Sequence, residues 1–137
     1  MLHPLLDPDR RPIVGHRGNA AHTPENTMES FRQALAGGAE CVELDVRLSA
    51  DGVPVIMHDA TLDRTTDAVG AVASHSAERI RAANAAARFT RDGGRTFPYR
   101  DQGLRVPTFE DVLTEVALTL ERDIKALIID ALKLEDV

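Results

Sequence analysis

The stretch CVELDVRL, residues 41–48, constrains the fold more than any other part of this chain. Side chains on a strand alternate between faces, so Val42, Leu44 and Val46 share one face while Cys41, Glu43 and Asp45 share the other. The apolar face must pack under a second layer. In a parallel α/β sheet the other face is covered as well, and two unpaired carboxylates there would each cost roughly several kcal/mol or would protonate. A hard divalent cation, Mg²⁺ or Ca²⁺, removes that cost. It takes oxygen ligands, and two carboxylates ~7 Å apart along a strand can converge on one ion. The alternative is an antiparallel edge strand with a solvated second face, and these eight residues leave both readings open.

The neighbouring segments supply the layers. PIVGHRG, 12–18, is a short apolar run ending in glycine, as a buried strand feeding a loop would be. In HTPENTMESFRQALAGG, Thr23 is a candidate cap with Pro24 at the first helical position. Met28, Phe31 and Leu35 then form one stripe, and Gly37 and Gly38 stop the helix. A turn at 50–52 precedes a third extended run, VPVIMHD. Residues 60–75 read as loop, 76–89 as partly helical, and RDGGRTFPYRDQG as an irregular excursion of the kind that often carries function. Thr108 and Asp111 form a capping-box pattern ahead of Phe109, Val112, Leu113 and Val116, which predicts another amphipathic helix. Strands alternating with helices indicate an α/β fold.

His16 and His58 each stand at the C-terminal end of an apolar run, where α/β folds assemble their sites. A single histidine is more often structural. Two at matching strand ends, flanking a strand with paired carboxylates, read better as a general acid and base beside a metal. Arg17 can clamp an anion bidentately, its bland role being a surface ion pair.

Bulk properties fit one globular domain: 137 residues, 43% hydrophobic and 28% charged. The net charge of −6 and the scatter of the sixteen Lys and Arg argue against a nucleic-acid partner. No run reaches a membrane span and the N-terminus has no apolar leader core, so no membrane insertion and a cytoplasmic location are expected. The single Cys41 forms no internal disulfide.

HRG at 16–18, PENTMESFRQAL at 24–35, GAECVELDVRLSADGVPVIMHDATLDRTTDAVG at 38–70 and VPTFEDVL at 106–113 closely resemble the glycerophosphodiester phosphodiesterases, over about residues 12–114. The resemblance implies a TIM barrel that hydrolyses a small-molecule glycerophosphodiester to sn-glycerol 3-phosphate and an alcohol with a divalent cation. It implies His16 and His58 as the acid–base pair, Arg17 on the phosphate, and Glu43 and Asp45 as metal ligands. The family also has a third acidic metal ligand in a Glu-x-Lys pattern on the next strand. Placing Glu121 there leaves Asp123 where Lys is expected, whereas placing Asp123 there keeps Lys125 and changes the acid.

The tail departs from that pattern. Leu120, Ile124, Leu127, Ile128 and Leu132 fall on one helical face, which predicts a terminal amphipathic helix. TLERDIKALIIDALKLEDV resembles the first helix of an acyl carrier protein. A partial phosphodiesterase domain over 1–116 joined to a foreign helix over 117–137 is therefore expected. A TIM barrel needs ~250 residues, so at 137 the barrel is expected to be incomplete, with self-association through an exposed sheet edge or the terminal helix. A non-catalytic piece that associates through that helix is the competing reading.

Overall fold

The computed structural model describes residues 5–119 and 126–131. Four strands form one sheet. β1 (Val14–His16) runs parallel to β2 (Cys41–Leu48), with His16 in register with Glu43. β3 (Pro54–Ile56) pairs antiparallel with the far end of β2, and β4 (Ala126–Ala131) pairs parallel with Cys41–Val46. β2 is thus the central strand, paired along its whole length.

Helices α1 (Met28–Ala36) and α3 (Phe109–Thr119) cover one side of this sheet. Val42, Leu44 and Val46 pack there with Phe31, Ala34, Ile56 and Val112, as the alternation of β2 requires. Each fully buried Val or Leu contributes about 1.5–3 kcal/mol by leaving water. The Thr108 box forms as its spacing predicts: Thr108 N donates to Asp111 Oδ2 at 2.9 Å and Asp111 N donates to Thr108 Oγ1 at 3.0 Å.

The excursion between β3 and α3 builds a second apolar core. Val55, Met57, Leu62, Val72, Ile80 and Val106 are buried together there, under α2 (Ala77–Ala82) and the turns around it. The carbonyl of Pro107 accepts from Ile56 N at 2.9 Å, which fastens the end of the excursion back onto β3.

Two expectations need correction. The cap of α1 is Thr27, whose hydroxyl accepts from Ser30 N, and residues 24–26 form a turn instead of a first helical turn. Asn26 has φ 56, a left-handed conformation no helix contains, so the helix cannot begin before it. The second correction concerns the tail, where Ala126–Ala131 are a strand and not part of a terminal helix. ALIIDA is continuously apolar apart from one acid, and a buried parallel strand reads the same way as a buried helical turn. Pairing of all six of its residues with Cys41–Val46 of β2 decides in favour of the strand. Residues 117–119 of the expected helix belong to α3, and 120–125 and 132–137, with Glu121 and Asp123 among them, lie outside the described residues.

Candidate active site

β1 ends at His16 and the chain turns at once, with Arg17 at φ 51 and Gly18 at φ 83. A Cβ on Gly18 would lie 2.3 Å from Ser30 Oγ and 2.6 Å from the Ser30 carbonyl carbon, so only glycine fits here. This turn is bonded to the start of α1. Ser30 Oγ donates to the Arg17 carbonyl at 2.9 Å and Asn26 N donates to the same carbonyl at 3.0 Å. Held this way, the Arg17 amide donates to Glu43 Oε2 at 2.9 Å.

The carboxylates of β2 lie on the face predicted from alternation. Asp45 is buried, at 2% exposure, where Asn26 Nδ2 donates to its Oδ2 at 2.9 Å. Arg17 Nε lies 3.2 Å from the same oxygen. That nitrogen is buried and makes no hydrogen bond, so this contact is charge attraction without hydrogen-bond alignment. Glu43 is partly buried, and His16 Nε2 lies 3.8 Å from its Oε2.

His58 follows β3, whose end is pinned to β2 twice: Met57 N donates to the Asp45 carbonyl at 3.0 Å, and Arg47 Nε donates to the His58 carbonyl at 2.7 Å. Its ring reaches Asp59, with Nδ1 to Oδ1 at 2.8 Å. Asp59 is gripped by Arg64 through Nε to Oδ2 at 2.7 Å and Nη2 to Oδ1 at 2.9 Å. Arg64 also grips Glu25, and Glu25 accepts from Arg17 Nη1 at 3.2 Å.

The strand ends therefore bring Arg17, Glu43, Asp45 and His16 into one group. His58 joins it through a chain of charged contacts that runs Asp59, Arg64, Glu25, Arg17. Glu25, Asn26, Asp59 and Arg64 escaped the sequence reading. Their signals were the PEN turn ahead of the helix and the acid directly after His58, but pairing between residues 25 and 64 leaves no periodic trace.

Electrostatics follow from these contacts. The hydrogen bond and charge of Arg64, with a further bond from His58, hold the Asp59 carboxyl well below the usual carboxylate range. Burial pushes Glu25 up, but the hydrogen bond and charge of Arg64 and the charge of Arg17 outweigh it, leaving Glu25 below its ordinary value. Both stay ionised near neutrality. Glu25, Asp45 and Asp59 face the guanidiniums of Arg17 and Arg64, and Glu43 lies beside His16 and the Arg17 amide, so acidic groups outnumber guanidiniums in the cluster.

Among the described residues no three His, Cys, Asp or Glu are arranged to hold a metal ion. The donors still suit a hard divalent cation: two adjacent carboxylates match the one or two that Mg²⁺ usually takes beside substrate phosphate oxygens, and the surplus charge matches a doubly charged ion. Beside Glu25 and Arg64 opens a cavity of about 160 Å³, lined also by Arg88, Phe89 and Thr90.

The parallel strands under helices, with polar groups gathered at their ends, place the chain among α/β proteins of the TIM-barrel type. Residues 16–135 match the Glycerophosphoryl diester phosphodiesterase family, and the chain belongs to that family. It is 41% identical over 127 residues to mouse glycerophosphodiester phosphodiesterase 1, covering 90% of this chain and 37% of the relative. The glycerophosphoryl diester phosphodiesterase domain of an uncharacterized Mycobacterium tuberculosis protein superposes with a TM-score of 0.80 at 32% identity, over 90% of this chain and 44% of that one. An Oleispira antarctica phosphodiesterase, solved with the product sn-glycerol-3-phosphate, superposes with a TM-score of 0.72 at 28% identity, over 89% of this chain and 45% of that one. The chain spans less than half the length of these relatives.

Proposed function

We propose that this chain carries the site of a metal-assisted phosphodiesterase, which cleaves glycerophosphodiesters to sn-glycerol 3-phosphate and an alcohol. The observation that carries the reading is the grouping of Arg17, Glu43 and Asp45 with His16 at the end of β1, to which His58, after β3, is joined through Asp59, Arg64 and Glu25. Family membership supports the reaction class, and the Oleispira relative's product supports the substrate class.

Glu43 and Asp45 would hold Mg²⁺ or Ca²⁺. Such an ion polarises a phosphodiester and offsets charge on its non-bridging oxygens. Arg17, fixed by the turn after β1, offers its guanidinium to the same anion. One imidazole takes the proton of the attacking hydroxyl, and the other gives a proton to the departing alcohol oxygen. In the register of β4, Asp130 is the backbone partner of Asp45, so a third acidic position falls beside the pair.

The test is release of glycerol 3-phosphate from glycerophosphocholine, with Mg²⁺ or Ca²⁺ and with EDTA. Turnover should need the cation and should fall about 10²–10⁴-fold in His16→Ala and in His58→Ala. A folded sample without turnover, or with turnover indifferent to EDTA, would favour the non-catalytic reading.

A further inference from the structure

His58 is the imidazole whose second nitrogen is engaged, and the group engaging it is held in turn. Asp59 Oδ1 lies 2.8 Å from His58 Nδ1, while Arg64 meets both Asp59 oxygens at 2.7 and 2.9 Å. Such a two-point grip fixes the carboxylate plane as well as its position. Arg64 is itself held from the far side, because Glu25 takes its Nη1 at 3.0 Å and its Nη2 at 2.7 Å. An ionised carboxylate only accepts hydrogen bonds, so the short contact places the proton on Nδ1 of the ring.

We propose that Asp59 is a positioning residue, clamped by Arg64, that locks His58 as the Nδ1–H tautomer and so presents its Nε2 lone pair as the proton acceptor. The same clamp ends on Arg17 through Glu25, at 3.2 Å, so the imidazole and the anion-binding guanidinium are set by one framework. Arg47 completes the arrangement from the backbone side, since its bond to the His58 carbonyl stops the residue from sliding along β3. Among the described residues His16 has no equivalent partner: its charged neighbour there is Glu43, at 3.8 Å. The two histidines are therefore built for different tasks, with the acceptor role at His58.

This inference rests on the acid–base reading of His58, but its test reads the ring and not turnover, so the two fail separately. Long-range ¹⁵N–¹H spectra of the full chain, taken above the ordinary imidazole range at about pH 9, report which ring nitrogen carries the proton. The wild-type His58 ring should show Nδ1 protonated and Nε2 bare. In Asp59→Asn the two nitrogen resonances should move toward each other as both tautomers populate, and Arg64→Met should shift them in the same direction by less. A wild-type ring protonated on Nε2 overturns the proposal. So does a folded Asp59→Asn chain whose ring matches wild type. Should Asp59→Asn fail to fold, the wild-type spectrum and Arg64→Met decide the matter.

Discussion

The end of β1 and the end of β3 each carry one histidine, yet they hold it by different means. His16 sits on a strand that pairs only with β2 among the described residues, beside exposed Ile13 and Val14, and its side chain is 70% exposed. His58 is 37% exposed, its ring is bonded to Asp59, its carbonyl is bonded to Arg47, and the excursion core lies behind it. At β1 the fixed element is the Arg17–Gly18 turn, which sets the Arg17 amide on Glu43 while the imidazole beside it stays open. At β3 the imidazole itself is fixed. The excursion between β3 and α3, with its own hydrophobic core, makes sense in those terms, since it secures the His58 end of β3 to a tolerance the strand alone would not provide.

The largest expected effect breaks the comparison at its shared element, β2. Asp45→Ala removes a buried charge partner and leaves Arg17 and Asn26 facing an unfilled site. Urea unfolding should register a loss of about 3–5 kcal/mol, whereas His16→Ala should stay within about 0.5 kcal/mol. Next comes the excursion. Ile80 is fully buried there, and Ile80→Ala should cost about 2–5 kcal/mol. It should also broaden the ring signals of His58 and leave those of His16 sharp. Equal broadening of both rings would show that the excursion core does not serve one histidine selectively.

The smallest effect is in acid. Glu25 and Asp59 are held below their ordinary values in the folded chain, so the stability they add is present above their unfolded values, near pH 4. It is lost as pH falls through the folded values. Arg64→Met should flatten that acid slope, read as unfolding midpoint against pH from about 6 down to 2. An unchanged slope would mean that Arg64 does not hold these two carboxylates in solution.

Much of this is legible in the sequence. β2 runs over Cys41–Leu48, the eight residues quoted, because alternation has one solution when both faces are specified. Thr108 and Asp111 cap α3 because a capping box is a local motif. The residues that slipped through are those whose partners are distant. Asn26 looked like helix and is a left-handed turn bonded to Asp45, nineteen positions away. Arg64 falls in the segment read as loop, and it bridges Glu25 to Asp59. ALIIDA fitted two periods, and only pairing with β2 selects between them. Local spacing reaches as far as a turn of helix or a strand, while the clamp around His58 depends on contacts that the tertiary fold creates.

Under the proposed reading, Glu43 and Asp45 turn inward from β2 to share a doubly charged ion. Titration of the full chain with Mg²⁺ and Ca²⁺ in a calorimeter, beside Asp45→Asn, tests it directly. Saturable binding of one ion by the wild-type chain and its loss in the variant are expected, with a matching rise in wild-type thermal midpoint on adding the ion. Binding that survives Asp45→Asn unchanged, or a folded wild-type chain that takes up neither ion, would contradict it.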